Sequence, residues 1–339
     1  MNGQSGVVRG RTKYGKPIMI FAWIAAAALA AVILLHNNPL DDPDTQRLKK
    51  ICGCVLLGTG ILSFTVFYHK LTVLPKELWN NRRLIWRLAK NDFKKRYAGS
   101  IFGAVWALVP PVTTVLMYWI VFDKVFHQTQ SSAATGEPIP YVVFLMAGMV
   151  PWFFFQDALS SGTASLLEYN YLVKKVVFKI SVLPIIKIIA ALFTHIFFTA
   201  FLLVVAVLYG CRPSLYWLQL PYYSAACFIM VLGMCYATCA VTVYFRDLQQ
   251  IIGIGMQIGT WATPILWNIS LLQHSDMIIL IKLNPMTYIV NGFRGAIYEQ
   301  QWFFTHFYST TYFWILTALL FGLGSLIFKK LKTGFADIL

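Results

Sequence analysis

The 339-residue sequence predicts an all-α polytopic membrane protein, and three observations carry that prediction. Charged residues make up only 12% of the chain, where a soluble globular domain has roughly 25%. Hydrophobic residues reach 58%. They gather into continuous apolar runs, several of them long enough for the roughly 20 helical residues that cross a hydrocarbon core. The runs are unbroken rather than alternating, which excludes a transmembrane barrel.

Eight runs mark candidate spans, at 18–35, 51–67, 101–122, 141–165, 183–209, 222–244, 250–267 and 308–328. An even number puts both termini on one side. Of the 28 Lys and Arg, 21 then share the side of the termini and seven lie opposite. The positive-inside rule makes the first side the cytoplasm. Topology therefore accounts for the net charge of +15, and no nucleic-acid partner is expected. Loop 36–50 is the exception, with Arg47, Lys49 and Lys50 outside beside Asp41, Asp42 and Asp44. The first run follows RGRTKYGK and could be a signal peptide. Its alanines lie inside the apolar run with no polar cleavage region after them, which favours a retained anchor.

The stretch LPKELWNNRRLIWRLAKNDFKKRYAG follows the second run. On a helical wheel Leu78, Trp79, Ile85, Trp86, Leu88, Ala89, Phe93 and Tyr97 share one half. Asn80, Arg83, Arg87, Lys90, Asn91, Lys94 and Lys95 share the other, while Arg82, Leu84, Asp92 and Arg96 fall on the wrong side. A basic face opposite a Trp/Phe/Leu face suits a helix half-sunk in an anionic membrane surface.

Further along, LEYNYLVKKVVFKISVLP (167–184) joins two spans and is too long for a turn. A helix lying on the cytoplasmic surface would offer Glu168, Tyr169, Asn170, Lys174 and Lys175 to a partner. Segment 268–307 is too mixed to span and reads either as short re-entrant helices broken at Asn284-Pro285 or as an extracellular hairpin. Re-entrant backbone requires packing against protein.

Aromatic residues concentrate at Tyr118, Trp119 and Phe122, at Trp152 to Phe155, and at Trp261 and Trp267. An interface belt covers most of them. Pro151 and Trp152 lie nearer mid-span, and Pro110, Pro111 and Pro264 are expected to kink spans around a pathway. Asp157 is an acid near the cytoplasmic end of its span, either reaching the interface or serving function. Trp119, Trp152, Phe153, Asp157 and Trp261 are the candidates for a translocation path. His195 stands alone in an apolar run and reads as a hydrogen-bonded packing residue.

No phosphate-binding G-x-x-x-x-G-K-[ST] occurs, and GIGMQIG at 253–259 lacks its lysine. Gly255 and Gly259 are better read as a helix-packing surface. Cys227, Cys235 and Cys239 read as small buried hydrophobes, and no metal site is expected. The 13 Asp and Glu are too scattered for a membrane-embedded transferase. An ion-coupled secondary transporter would want inverted repeats and paired mid-membrane charges, and neither is apparent.

In order, the basic helix running into GSIFGAVWALVPPV, then YWIVF, VPWFFF, FRDLQQ, TPILW, NPMTYIVNGFRGAIYEQQWF and the closing FADIL resemble the membrane subunit of type-2 ABC exporters for polysaccharides and polyol phosphates. The likeness covers about 80–339 and is nearest to Gram-positive teichoic-acid export permeases. It divides the chain into a two-span extension (1–72), an amphipathic interfacial helix (73–99) and a six-span core (100–339). It implies a homodimer working with two separate ATPase subunits, which hold ATP and Mg, so that this chain has no catalytic residue and no cofactor. Within the core, 167–184 is the implied coupling helix and 268–305 the implied outer re-entrant segment. Arg83, Arg87, Lys90 and Lys94 would admit a lipid-diphosphate-linked polymer from the membrane. The expected setting is the plasma membrane of a bacterium, with teichoic acid as cargo and O-antigen or capsular polysaccharide as the alternative. The two N-terminal spans have no counterpart in that pattern.

Overall fold

A computed structural model describes residues 15–35, 46–47, 50–51, 53–55, 57–62, 65, 73–96, 100, 102–128, 130–132, 136, 138–173, 179–272 and 277–338. The chain forms two compact units, Met1–His69 and Lys70–Leu339. In the first, the Ala-rich run folds as α1 (Gly15–Leu35), and α2 (Gly53–Leu62) is a shorter apolar helix. Ile33 is buried at Gly53, where an added Cβ would meet its Cδ1 at 3.3 Å. Lys50 Nζ donates to the Leu34 carbonyl (2.8 Å), so a cation satisfies one of the last carbonyls of α1.

The second unit opens with α3 (Val73–Asn80) and α4 (Arg82–Arg96), the two pieces of the amphipathic segment. Among the described residues, five stretches are helical, long and apolar enough to cross a membrane: Val105–Val125, Tyr141–Glu168, Ile180–Leu208, Leu215–Tyr244 and Phe303–Gly334. Within them lie α5 (Val109–Trp119), α6 (Tyr141–Glu168), α8 (Leu183–Leu208), α9 (Leu220–Tyr244) and α13 (Phe307–Leu331). The short α7 (Asn170–Val173) follows α6. A two-stranded antiparallel hairpin, β1 (Gln130–Ser131) with β2 (Pro138–Ile139), precedes α6.

Proline explains two departures from the expected eight-span pattern. Pro110 and Pro111 occupy the first turn of α5. A missing N–H costs nothing there, so they start the helix instead of kinking it. The run at 250–267 forms α10 (Leu248–Ala262), only 15 residues long. At 1.5 Å per residue that is about 22 Å, short of a core roughly 30 Å thick. The helix stops because Pro264 biases its predecessor toward extended backbone, and Thr263 sits at φ −88° and ψ 139°.

Beyond the break come α11 (Met277–Leu283) and α12 (Pro285–Arg294). The interruption falls at Asn284-Pro285, as expected. Asn284 Oδ1 accepts from the Met286 N–H (3.0 Å), and Pro285 takes the first helical position. The closing FADIL forms α14 (Phe335–Ile338), with Phe335 buried against Tyr244 and Phe328.

The core is centred on α6, which packs against α8 and α9, while α13 packs along α9. Small residues set these distances. An added Cβ at Gly162 would collide with Cys235 Sγ, and one at Gly324 with the Gly233 carbonyl. At Gly233 it would lie 2.7 Å from the Phe321 backbone. Helices α9 and α13 therefore cross backbone against backbone. Gly233→Leu should lower the thermal midpoint in detergent by an amount equivalent to about 1–3 kcal/mol, the usual cost of overpacking. Gly253→Leu, at a site with nothing within 4 Å, is the control and should leave the midpoint unchanged.

Candidate functional site

The amphipathic helix α4 does not have two faces but three. Its buried residues are Ile85, Ala89 and Asp92. Arg83, Arg87, Lys90 and Lys94 are exposed, and so are Trp86 on its apolar side and Trp79 of α3. Asp92 spoils the helical wheel because it points inward to a buried cation.

That cation is Lys187, near the start of α8. Its Nζ lies 2.8 Å from Asp92 Oδ1 and 2.6 Å from Glu168 Oε2. Asp92 is 6% exposed and Lys187 5%. The Tyr169 hydroxyl also donates to Asp92 Oδ1, and the ammonium sits 4.9 Å over the Tyr169 ring. Burial and the bond to Asp92 both push the Tyr169 phenol well above its ordinary range, so it stays protonated as a donor. Arg96 completes the chain, 3.6 Å from Asp92 Oδ2 and 3.2 Å from both oxygens of Asp157. Three elements thus meet: α4 through Asp92 and Arg96, α6 through Asp157, Glu168 and its cap Tyr169, and α8 through Lys187. A second tie joins α3 to the core, where Ser181 Oγ donates to Glu77 Oε2 (2.6 Å) and Tyr236 Oη donates to the Ser181 carbonyl (3.0 Å).

Two cavities adjoin this network. A cleft of about 640 Å³ opens beside α4, with Trp86, Phe93, Leu108 and Phe193 among its apolar walls and Lys90 and Lys94 as its cations. Trp86 and Phe93 meet Phe193 edge-on, at 5.3 and 5.6 Å between centroids. A smaller cavity of about 220 Å³ is lined by Arg96, Pro110, Phe153, Asp157 and His195. Ala107 and Thr194 border both. His195 is held by Ser224, its Nε2 2.8 Å from the hydroxyl, which fits its reading as a packing residue.

The expected site residues are therefore not one cluster. Lys90 and Lys94 line the larger cleft, whereas Arg83 and Arg87 stand outside it. Phe153 and Asp157 line the smaller cavity. Trp152 is buried against Gly259 of α10, whose added Cβ would lie 2.7 Å from the indole, while Gly255 faces open space. Trp119 stays half-buried under Lys124 (5.2 Å), and Trp261 is 59% exposed on α10. Glu168 and Asn170 are exposed and Tyr169 half-buried. Lys174 and Lys175 lie outside the described residues.

The break after α10 is held by side chains the sequence did not advertise. Arg294 is 5% exposed, and its two terminal nitrogens donate to the carbonyls of Pro264 (2.7 Å) and Ile265 (2.8 Å). Its guanidinium lies 3.7 Å from the Phe144 ring centroid. Tyr141 Oη donates to the Leu266 carbonyl (2.9 Å), and Asn284 Nδ2 donates to Thr263 Oγ1 (2.8 Å). Buried carbonyls released by a helix break need donors, and Arg294 and Tyr141 supply them.

Comparison with known proteins places this arrangement. Residues 83–298 match the ABC-2 type transporter family. The chain belongs to that family. An ABC-2 permease is a multi-pass membrane protein of a transport system that includes ATPase subunits, consistent with the five long apolar helices. The permease is 28% identical over 230 residues to the O-antigen export system permease protein RfbA of Myxococcus xanthus, covering 67% of this chain and 85% of that protein. It is also 28% identical over 258 residues to the protein of the same name from Klebsiella pneumoniae, covering 74% and 93%.

Asp92, Arg96, Lys187 and Arg294 were absent from the sequence-derived site of the ABC-2 permease. For three of them a signal existed. Asp92 and Arg96 break the wheel, and Lys187 sits inside an apolar run. Breaking a buried ion pair by removing one partner typically costs about 3–5 kcal/mol, whereas removing both is far milder. Lys187→Met should therefore destabilise the protein strongly in thermal denaturation, and adding Asp92→Asn should restore much of the loss. A double variant no more stable than the single one would show that the two charges do not act as a pair.

Proposed function

We propose that this permease is the membrane subunit of an ATP-driven exporter of a lipid-linked polysaccharide of the O-antigen type. The observation that carries the reading is the cleft beside α4, apolar in its walls and cationic at Lys90 and Lys94, in a chain whose relatives are O-antigen export permeases. An isoprenoid-like tail matches the apolar walls. A diphosphate matches two ammonium groups placed four residues apart on one helical face. The names of the relatives favour O-antigen over teichoic acid as cargo, reversing the order expected from sequence.

In this reading the polymer's lipid anchor enters beside α4. ATP and Mg are bound by a separate ATPase chain, this chain contributes no catalytic group, and it works as a homodimer. Glu168, Tyr169 and Asn170 would face the ATPase, with Lys187 linking that corner to α4. Segment 268–305 would form re-entrant helices at the outer surface. Both termini would be cytoplasmic, in a bacterial plasma membrane.

The structure separates cations that the helical wheel grouped together, and this allows a direct test. Hydrogen bonds to charged groups contribute about 1.5–3 kcal/mol, so losing them should cost export about tenfold or more. Lys90→Ala with Lys94→Ala should show that loss in vesicles containing the permease and its ATPase. Arg83→Ala with Arg87→Ala removes equal charge outside the cleft and should have a much smaller effect. Equal defects at matched protein levels would reduce α4 to a membrane anchor. Vesicles that export a polyol-phosphate polymer but no glycan would restore the teichoic-acid reading.

A further inference from the structure

A second cleft lies on the other side of Trp86. It has a volume of about 590 Å³, and its walls come from α3 and α4 (Trp79, Arg82, Trp86), α8 (Ile189), α9 (Ile229) and α13 (Phe321). Apart from Arg82, every one of those walls is an apolar or aromatic side chain. We infer that this cleft is a binding site for an anionic glycerophospholipid, with Arg82 holding the phosphate and the apolar walls holding an acyl chain.

The case for a lipid begins with Arg82 itself. Arg82 is a residue that the amphipathic wheel could not place, because it lies off the basic face. Its guanidinium sits 5.3 Å from the Trp79 ring, and one N–H donates to the Trp79 carbonyl (3.2 Å). Among the described residues no carboxylate pairs with it. Glu77, the nearest acid in sequence, has its carboxylate engaged by Ser181. The guanidinium therefore keeps donors for an outside anion. Trp79 and Trp86 flank it at 70% and 56% exposed, and exposed tryptophans mark the headgroup level of a membrane. At that depth the available anion is a lipid phosphate, and the basic surface of α4 enriches anionic lipids around it.

The back wall shows why the occupant would be resident rather than in transit. Phe321 belongs to the backbone crossing of α9 and α13, and Leu232 is adjacent to it. At that crossing Gly233 and Gly324 leave no room for even an added Cβ. The cleft of Lys90 and Lys94 differs in this respect, because it adjoins a second cavity through Ala107 and Thr194. The Arg82 cleft shares no lining residue with that cavity. Trp86 lines both. A lipid seated beside Arg82 would thus brace the indole that walls the cleft proposed for the substrate. The lipid assignment itself does not depend on what the permease exports.

Native mass spectrometry of the full-length protein with added phosphatidylglycerol tests the assignment. Wild type should retain the lipid, and Arg82→Ala should weaken binding about fivefold, as expected for one cation at a membrane surface. Arg83→Ala, one residue along and outside the cleft, should bind as wild type does. Ile229→Trp keeps Arg82 but fills the cleft from its exposed rim, and it should lose the lipid. Several outcomes would overturn the site. They are equal losses in Arg82→Ala and Arg83→Ala, undiminished binding by Ile229→Trp, equal binding of phosphatidylcholine, and no retention by wild type.

Discussion

One buried ammonium organises the end of this permease where the amphipathic helix meets the spans. Lys187 Nζ is shared between Asp92 of the amphipathic helix and Glu168 at the end of α6, with the Tyr169 ring beneath it. An unpaired charge at this depth would be costly, so the three chain segments must arrive together or none is stable there. The amphipathic helix is therefore not simply floating on lipid. It is pinned to the spans through its one inward-pointing acid. Arg96 extends the pinning to Asp157 and so to the mid-length of α6.

Pinning by charge in one place leaves the rest of the helix surface to apolar packing, and the clefts follow from that. Ile85 and Ala89 seat α4 on the spans, while Trp86 stands between two clefts with cations on either side. The same separation of tasks recurs at the other end of the molecule. There the break after α10 frees carbonyls that a buried arginine and one tyrosine hydroxyl satisfy. Gln219 plays a similar part nearby, its amide bonding the Gln301 carbonyl and the Phe303 N–H on the approach to α13. Membrane interiors offer no water to repair such breaks, so the polar side chains near them are structural first.

Close helix crossings complete the frame. Gly162 against Cys235 and Gly233 against Gly324 bring the spans to backbone distance, which dispersion rather than the hydrophobic effect must stabilise inside lipid. Helix α10 has no comparable seat. Ile251, Ile254, Ile258 and Trp261 all remain exposed on it. Its closest approach to the core is Gly259 on Trp152, with Met256 the one buried apolar side chain of the helix.

Composition and run length by themselves determined that the chain is helical and crosses a membrane, because burying polar backbone in lipid leaves no other solution for continuous apolar runs. The break at Asn284-Pro285 was legible for an equally local reason, since a cap and a proline act within a turn. The amphipathic helix was legible too, but its four misplaced residues read as noise. Only the tertiary structure decided their meaning, because a wheel has no knowledge of the helix it will meet. Asp92 and Arg96 acquire partners from α6 and α8, whose positions in sequence lie 61 or more residues away. Pro110 and Pro111 were misread as kinks and Pro264 fell inside a presumed span, since proline's effect depends on where in a helix it lands. The division of the basic residues between two clefts and an open surface likewise belongs to packing. Lys90, Lys94 and Arg82 differ from Arg83 and Arg87 only in what the neighbouring spans place beside them.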